Sequence, residues 1–491
     1  MAILQLSPEH RDELKTLSVS GEVDSLMRRR ARILLLADGG EGTGLDVDEI
    51  CRELKIGRAL VQNTCRRLVE KGLDAALKRA KPQALAAPPL VATPTERSVG
   101  LSLLAADRAV DLRLELGASH EILHLAPKEA RTVQVDGLAP GERRSYHLEA
   151  RSDEVTSTYT GTLTADPGPG TTFRFAVLAD VHLPILAMNQ WLDRKSGPLA
   201  ALIRYGRARG QVADVLRRVL ASIRCLDVDF VVSLGDLLHV AAQSPKPRVP
   251  LPDLQGAYED LRNLIGELGT DTPFFPVLGN WDGESGWIAE PLRRGARQAR
   301  AGALPTPDDR SYYAWTWGDA LFVALDVTGF TTREPRPGGG QPPPWTLGAD
   351  QWEWLDKTLA SSDRRHKFLF MHHPLAGHGG DADNTAYARG GGRAADRGEQ
   401  AVVQGLAERH GVRIIFHGHD HVFVDMAVRG VRYTLPGSAG APWKFTGEST
   451  GYETFDRRSG FATVDVSADA VTVDFRDVEG ERFDGYVLGD A

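Results

Sequence analysis

The stretch Phe173-Arg174-Phe175-Ala176-Val177-Leu178-Ala179-Asp180-Val181-His182 shows the pattern that decides the fold of the C-terminal part of this sequence. Its mostly apolar first part has the length of a buried strand, and two polar side chains that can bind a metal, Asp180 and His182, follow at once. In an open α/β sheet, residues just past the carboxyl ends of strands line the crevice in which ligands bind. The stretch therefore predicts a strand that ends in a ligand site.

The same arrangement recurs four more times along the chain. Apolar runs precede Gly235-Asp236, Gly279-Asn280-Trp281-Asp282, His372-His373-Pro374 and Gly418-His419-Asp420-His421. Asp, Asn and His side chains suit Mn, Fe or Zn, and glycines let the backbone turn tightly beside an ion. One such ending alone would indicate only a polar surface residue, but five in order predict a metal centre at one edge of a sheet.

These motifs, Asp-x-His, Gly-Asp, Gly-Asn-x-Asp, His-x-Pro and Gly-His-x-His, resemble those of the calcineurin-like metallophosphoesterases over roughly residues 172–480. The resemblance implies a four-layer αββα domain and a dinuclear site of divalent cations, with manganese favoured over iron and zinc. It implies that a metal-bridging hydroxide attacks the phosphorus of a phosphate ester or anhydride. The implied ligands are Asp180, His182 and His421 for the first metal, Asn280, His372 and His419 for the second, and Asp236 between them.

The third motif departs from the family pattern, which usually has His where this chain has Trp281. In the family that His, with its carboxylate, assists the leaving group, so the resemblance makes Asp236, Asn280 and Asp282 catalytic candidates. Indole cannot exchange a proton near neutral pH, and general acid catalysis contributes roughly 10²–10⁴-fold. The departure favours a diester or anhydride substrate, unless Trp281 stacks on substrate or merely packs. His239 donates to the substrate, replaces the missing acid, or only supports a ligand.

Two further histidines and one loop complete the candidates. His373 is a weaker candidate of the same kind as His239, and strand alternation predicts that His417 points away from the metals. The Gly- and Ala-rich run 377–398 is expected to form a surface loop. Within it, Arg389 or Arg393 could meet the substrate phosphate.

Two smaller domains are predicted ahead of the catalytic domain, which spans 171–491. Alternating runs across residues 96–168 predict a small β-sandwich that resembles the N-terminal domain of purple acid phosphatases. This resemblance favours a phosphomonoesterase, the alternative to a diesterase. Residues 1–82 predict an all-α domain, and the breaker-rich residues 83–95 predict a linker.

Residues 48–61 in the helical domain have the pattern of a helix-turn-helix, with Lys55 at the turn position that usually holds Gly. The wider stretch resembles the N-terminal domain of some insertion-sequence transposases. Residues 52–81 hold nine Lys or Arg against three Asp or Glu, which suits phosphate contacts with DNA. Protein docking is the other interpretation of this domain. A rival hypothesis for the whole chain is a DNA-binding regulator with a ligand-sensing metal domain.

Composition sets broad limits on these hypotheses. The 491 residues carry a net charge of −8, with 42% apolar and 25% charged residues, as in a folded globular protein. Neither a membrane-length apolar run nor a secretory signal is visible. Three cysteines fit neither a disulfide framework nor a metal knuckle, so a cytoplasmic location is expected. The sequence leaves the formation of a homo-oligomer open.

Overall fold

The structure is a computed structural model of the 491-residue chain. The described residues are 4–20, 25–40, 44–77, 83–153, 155–185, 197–239, 251–279, 281–282, 292–307, 311–326, 347, 349–373, 397–441 and 453–489. Asn280, Arg389 and Arg393 lie outside them. The chain forms two compact units, residues 1–82 with 184–213 and residues 83–183 with 214–491.

The N-terminal part of the first unit is helical, as predicted. Its helices are α1 (Pro8–Val19), α2 (Ser25–Ala37), α3 (Val47–Leu54) and α4 (Arg58–Leu77), and α5 (Gly197–Cys225) begins in this unit. Asp46 and Glu49 form a capping box that starts α3, because each satisfies a backbone N–H of the other. Lys55 ends α3 in the left-handed conformation, with φ 53° and ψ 50°, which glycine adopts more readily than other residues. The helix-turn-helix assignment itself stays a prediction.

The β-sandwich has one sheet of three strands and one of four, all paired antiparallel. The strands are β1 (Leu90–Ala92), β2 (Ser98–Leu104), β3 (Val110–Leu116), β4 (Ser119–Leu125), β5 (Ala130–Asp136), β6 (Arg143–Ser152) and β7 (Val155–Thr164). The sheet orders are β1-β2-β5 and β4-β3-β6-β7. The expected linker 83–95 is wrong in part, because Leu85 and Val91 are buried in the sandwich core and β1 lies within this segment.

The region predicted to be the catalytic domain contains two mixed sheets. Its strands are β8 (Phe173–Leu178), β9 (Leu183–Pro184), β10 (Phe230–Ser233), β11 (Leu238–His239), β12 (Phe274–Pro276), β13 (Tyr313–Trp317), β14 (Ala320–Ala324), β15 (His366–Phe370), β16 (Ile414–Phe416), β17 (Phe423–Val428), β18 (Val431–Pro436), β19 (Thr454–Asp456), β20 (Gly460–Val466), β21 (Val471–Asp477) and β22 (Arg482–Leu488). The sheet orders are β12-β10-β8-β20-β21-β22 and β13-β14-β15-β16-β18-β17-β19, and β9 pairs with β11 in a short ladder. Five strands precede the five motifs. Four of them, β10, β12, β15 and β16, run parallel to every neighbour, and β8 is parallel to β10 but antiparallel to β20.

The layer arrangement agrees with the predicted αββα architecture. The remaining helices are α6 (Leu251–Ile265), α7 (Leu292–Ala303), α8 (Ala349–Ser361) and α9 (Arg397–Arg409). An aromatic core that includes Phe175, Phe230 and Phe322 joins strands of both sheets, and the Phe175 and Phe230 rings stack at 5.1 Å. Leu355 and Leu359 of α8 pack in a second core with strands of the second sheet.

Membrane insertion is not supported by any helix within the described ranges, since none combines the length and hydropathy of a spanning segment. The cytoplasmic location stays a prediction.

Candidate metal centre

The loops that follow the motif strands are joined by backbone hydrogen bonds. The N–H of His182 donates to the carbonyl of Asp236 at 2.7 Å, and the N–H of Gly418 donates to the carbonyl of His372 at 3.0 Å. The Asp180 carboxylate accepts the N–H of His419, at 2.9 Å for Oδ2. Side chains that are far apart in sequence are therefore held side by side at one end of the strands.

Six of the seven predicted ligands form two buried groups. The groups are Asp180, His182 and His421, and Asp236, His372 and His419. The candidate ligand atoms within each group lie within 4.8 Å of one another. This division matches the one implied by the family resemblance, while Asn280 lies outside the described residues. The role of each residue as a ligand stays a prediction.

Asp236 connects the two groups. Its Oδ2 lies 3.2 Å from His182 Nε2 and 3.2 Å from His372 Nε2, and it is fully buried. Burial alone would raise the pKa of Asp236, but the charges of His372 and His182 hold it well below the usual value. Burial lowers the pKa of His372, yet Asp236 outweighs this and raises it to about 9. Asp236 and these histidines thus interact strongly with one another at one buried point.

The backbone is strained where the candidate ligands lie. Five of them have φ in the left-handed region that non-glycine residues rarely adopt. They are Asp180 (55°), His182 (51°), Asp236 (53°), His419 (79°) and His421 (60°). Each such residue costs on the order of 1–3 kcal/mol, and strain of this kind clusters at functional sites. Its concentration on the predicted ligands supports a functional role for these loops.

Two glycines explain why the Gly-Asp and Gly-Asn loops can approach each other. Gly235 has φ 94°, and a Cβ there would overlap with the backbone of Gly279. A Cβ on Gly279 would overlap with the backbone N and Oδ1 of Asp236. The sequence predicted tight turns here, and the structure adds that the two loops touch through their glycines.

Asp282 fixes the backbone around Asp236. Its Oδ2 accepts the N–H groups of Asp236 at 3.0 Å and Gly279 at 2.8 Å, and its Oδ1 accepts that of Leu237 at 2.8 Å. Burial, with Asp236 nearby, raises the pKa of Asp282 to about 7. These contacts show that Asp282 holds the backbone of the loop that carries Asp236. A direct part in proton transfer stays a prediction.

Trp281 and His239 lie together beside His182. Their rings stack with centroids 4.3 Å apart and planes 19° apart. His239 Nδ1 is 3.3 Å from His182 Nδ1. The backbone N–H of Trp281 donates to Asp236 Oδ1 at 2.7 Å. Trp281 therefore packs on His239, and its stacking on a substrate stays a prediction.

The other histidines of the motifs are buried. His417 stacks on Tyr433, with ring centroids 5.8 Å apart, and it belongs to neither ligand group within the described residues. The His373 ring lies 4.5 Å from the His419 ring. Burial lowers the pKa of His417 to about 3 and that of His373 well below its usual value.

Sequence reasoning missed the backbone carbonyl that orients His372. His372 Nδ1 lies 2.8 Å from the carbonyl oxygen of Leu234, which turns Nε2 toward Asp236. Metal-binding histidines usually donate their second N–H to such an acceptor. A main-chain acceptor has no signature in the sequence, so only the fold reveals it.

The donor set fits divalent cations. Two buried carboxylates and four buried imidazoles face one another, and such oxygen and nitrogen donors suit Mn, Fe or Zn. Buried charges require pairing or a metal. Two cations would satisfy both carboxylates and let the imidazoles be neutral.

Comparisons with known proteins agree with this site. The family model for calcineurin-like phosphoesterase matches residues 173–423, and no curated protein sequence matches the chain. The solved structure of PhoD has a TM-score of 0.60 and 15% identity over 84% of this chain and 92% of that one. GAP50 of Plasmodium (TM-score 0.43, 16% identity, 65% of this chain and 89% of that one) and a putative 5'-nucleotidase from Staphylococcus aureus (0.35, 17%, 65% and 54%) are also similar. The PhoD similarity concerns the fold, whereas the family model covers half of the chain together with its metal motifs, and the chain belongs to the calcineurin-like phosphoesterase family.

Proposed function

We propose that this chain hydrolyses phosphodiesters or phosphoanhydrides with two divalent cations, manganese being the favoured metal. The observation that carries the proposal is the pair of buried carboxylate–histidine groups that meet at Asp236. Two such cations, when bound, polarise phosphoryl oxygens and lower the pKa of a water that attacks phosphorus. Asn280 is proposed as the seventh ligand on its motif alone.

The residues of the chain supply a frame that is formed before substrate arrives. One oxygen of Asp236 faces both groups, and its other oxygen is held by the N–H of Trp281. Asp282 holds the N–H groups of the same loop. Donors fixed in this way need little reorganisation during the reaction, and their precision depends on such supporting contacts.

The preference for diesters or anhydrides follows from position 281. The indole N–H can donate a hydrogen bond but cannot be transferred near neutral pH. A leaving group that departs without full protonation, such as the phosphate of an anhydride or the stabilised alkoxide of a diester of an acidic alcohol, suits such a site better than the alkoxide of a simple alkyl monoester. The alternative, a phosphomonoesterase, is supported by the resemblance of the sandwich to that of purple acid phosphatases.

Hydrolysis of p-nitrophenyl phosphate and bis(p-nitrophenyl) phosphate by the full chain with added Mn²⁺ tests the proposal. We expect faster turnover of the bis-ester, loss of turnover after metal removal, and no turnover by Asp236→Asn with an unchanged far-ultraviolet circular dichroism spectrum. Asp469→Asn, in an exposed loop, is the matched control. Turnover retained in Asp236→Asn would refute the assignment, and a preference for the monoester would favour the alternative.

Trp281→His gives a second test of the substrate class. A sharp gain on an alkyl monoester such as glycerol 2-phosphate, whose alkoxide leaving group needs a proton, would show that the proton donor of the family had been given up in this chain. An unchanged or lower rate on the monoester would show that Trp281 serves another purpose.

DNA binding by the helical unit is a second proposed function. The observation that favours it is that α4, after the left-handed turn at Lys55, exposes Arg58, Gln62 and Asn63 near its start. Arg pairs with guanine, and Asn or Gln with adenine, in the major groove. Arg58 forms a salt bridge of 2.9 Å with Asp48, and this salt bridge would have to break for Arg58 to contact a base.

Fluorescence anisotropy of a labelled random duplex with the full chain tests DNA binding. We expect affinity to fall with rising salt and to weaken in an Arg58→Ala/Gln62→Ala variant, but not in Lys15→Ala on the exposed face of α1. No binding at low salt would exclude this function and favour protein docking. A chain inactive on both esters that keeps one duplex sequence bound against an excess of random competitor would favour the regulator hypothesis.

A further inference from the structure

Three aromatic rings meet at one side of the two ligand groups. Trp281 and His239 stack at 4.3 Å, and both are half-buried. The ring of His182 lies 5.4 Å from that of His239 and 5.5 Å from that of Trp281, inclined by 60° and 75°. The edge of His182 therefore rests against the stacked pair.

The two nitrogens of His182 face different neighbours. Nε2 lies 3.2 Å from Asp236 Oδ2 and 3.1 Å from His421 Nε2, so it points into the candidate metal centre. Nδ1 lies 3.3 Å from Nδ1 of His239. A nitrogen that binds a metal carries no proton, so Nδ1 of a neutral His182 must be the N–H donor. His239 Nδ1 is then the acceptor.

This arrangement repeats, with a different acceptor, what the backbone does for His372. There, Nδ1 lies 2.8 Å from the Leu234 carbonyl while Nε2 faces Asp236. An acceptor at Nδ1 fixes both the tautomer and the ring orientation of a metal-binding histidine. His182 obtains the same constraint from a side chain, which must itself be held in place.

Two independent features hold His239. The short ladder of β9 with β11 places it beside His182, with the N–H of Leu183 donating to the carbonyl of Leu237 at 2.9 Å. Stacking on Trp281 then restricts rotation of its ring. Because the N–H of Trp281 also holds Asp236 Oδ1, one residue supports both the shared carboxylate and the acceptor of His182.

We propose that His239 and Trp281 form one positioning unit that fixes His182 for metal binding. The unusual Trp281 and His239 then serve one purpose, which is to hold the imidazole ring of His182 in place. This inference rests on the proposed metal-dependent function but concerns metal affinity, which can be measured without substrate. It assigns neither residue a direct part in the chemistry.

Titration of Co²⁺ into the metal-free full chain, followed by calorimetry and visible absorption, tests the inference. We expect two binding events in the wild type. His239→Ala should weaken one event by roughly 10–100-fold, the usual effect of removing such a supporting partner, and leave the other unchanged. His239→Asn, which keeps an acceptor oxygen, should recover part of the affinity.

Variants of Trp281 test whether the two residues act as a unit. Trp281→Phe, which keeps a stacking ring, should retain the affinity, and Trp281→Ala should lose it. The double variant His239→Ala/Trp281→Ala should bind no more weakly than His239→Ala, because coupled residues are not additive. His124→Ala, an exposed histidine that pairs with Asp111 in the sandwich, is the matched control.

The outcomes separate this inference from the proposed function. A wild type that binds no Co²⁺ would overturn both. Unchanged Co²⁺ affinity and spectra in His239→Ala would overturn the inference alone, and a lower turnover of that loaded variant would assign His239 to the substrate. Thermal melting of the metal-free variants shows whether a loss of affinity comes from unfolding. If the alanine variants are unfolded, the Co²⁺ affinities of His239→Asn and Trp281→Phe test the inference instead, and a folded His239→Asn or Trp281→Phe variant that loses the affinity would overturn it.

Discussion

Arg262 offers a quantitative test of what joins the β-sandwich to the catalytic domain. This arginine of α6 is fully buried, and no carboxylate is among its hydrogen-bond partners within the described residues. Its Nη2 donates to the carbonyl of Ser102 at 2.6 Å, and its Nη1 donates to Ser102 Oγ at 3.1 Å and to the carbonyl of Ala303 at 3.1 Å. A cation of the catalytic domain thus satisfies acceptors on a sandwich strand.

The magnitude follows from two opposing contributions. Burial lowers the pKa of Arg262 from 12.5 to about 10, so burying its charge costs about 3 kcal/mol. Hydrogen bonds from a charged donor contribute about 2 kcal/mol each, and the three short ones together contribute about 6 kcal/mol. The net stabilisation is therefore about 3 kcal/mol. Arg262→Met should lower the free energy of unfolding by at least this amount, because it also leaves buried carbonyls without donors.

Scanning calorimetry and urea unfolding of the full chain measure this loss. We expect the transition of the sandwich and catalytic domain to move to lower temperature and lower urea, with Co²⁺ binding of the folded protein unchanged. Arg218→Met is the matched control, since Arg218 is an exposed arginine of α5 that pairs with Glu479 at the surface. A loss below about 1 kcal/mol for Arg262→Met, or an equal loss for Arg218→Met, would refute the reasoning.

Three further predictions concern pH, backbone strain and loop contact. Burial, despite Arg432, raises the pKa of Asp425 from 3.8 to about 7, so the folded chain binds this proton more tightly and the free energy of unfolding falls as pH rises through that window. Urea unfolding at several pH values should show that Asp425→Asn removes this fall; an unchanged slope would contradict it. Lys55→Gly should stabilise the helical unit by about 1 kcal/mol, by relieving its left-handed strain, and a lower melting temperature would contradict this. Gly279→Ala should abolish Co²⁺ binding by displacing the shared carboxylate, whereas Gly256→Ala, where a Cβ meets nothing within 4 Å, should not; equal affinity in both variants would contradict the loop contact.

Much of the fold was predictable because it depends on local pattern. The apolar runs before Asp180, Asp236 and His372 form β8, β10 and β15, since their side chains fill the core between or beside the sheets. Alternating runs across residues 96–168 also predicted strands, and β2 to β7 lie within that range. The linker was the exception, because prolines mark a break in regular structure but do not show that the residues after them are exposed.

The grouping of the ligand candidates came from family resemblance, and their geometry came from tertiary structure. Sequence order places Asp180 and His421 hundreds of residues apart, and only the packing of loops brings His421 Nε2 to 3.5 Å from Asp180 Oδ1. The backbone N–H groups that donate to Asp282 and the Leu234 carbonyl beside His372 have no residue-type signature.

The sequence by itself determined the strands, the metal motifs and the altered third motif, because residue type and spacing carry that information. Only the tertiary structure decided that Trp281 stacks on His239, that Asp282 holds the loop backbone and that Arg262 joins two domains. Each of these depends on distances between loops or strands that are separate in sequence. Those distances are set by the packing of whole sheets, which a local pattern does not encode.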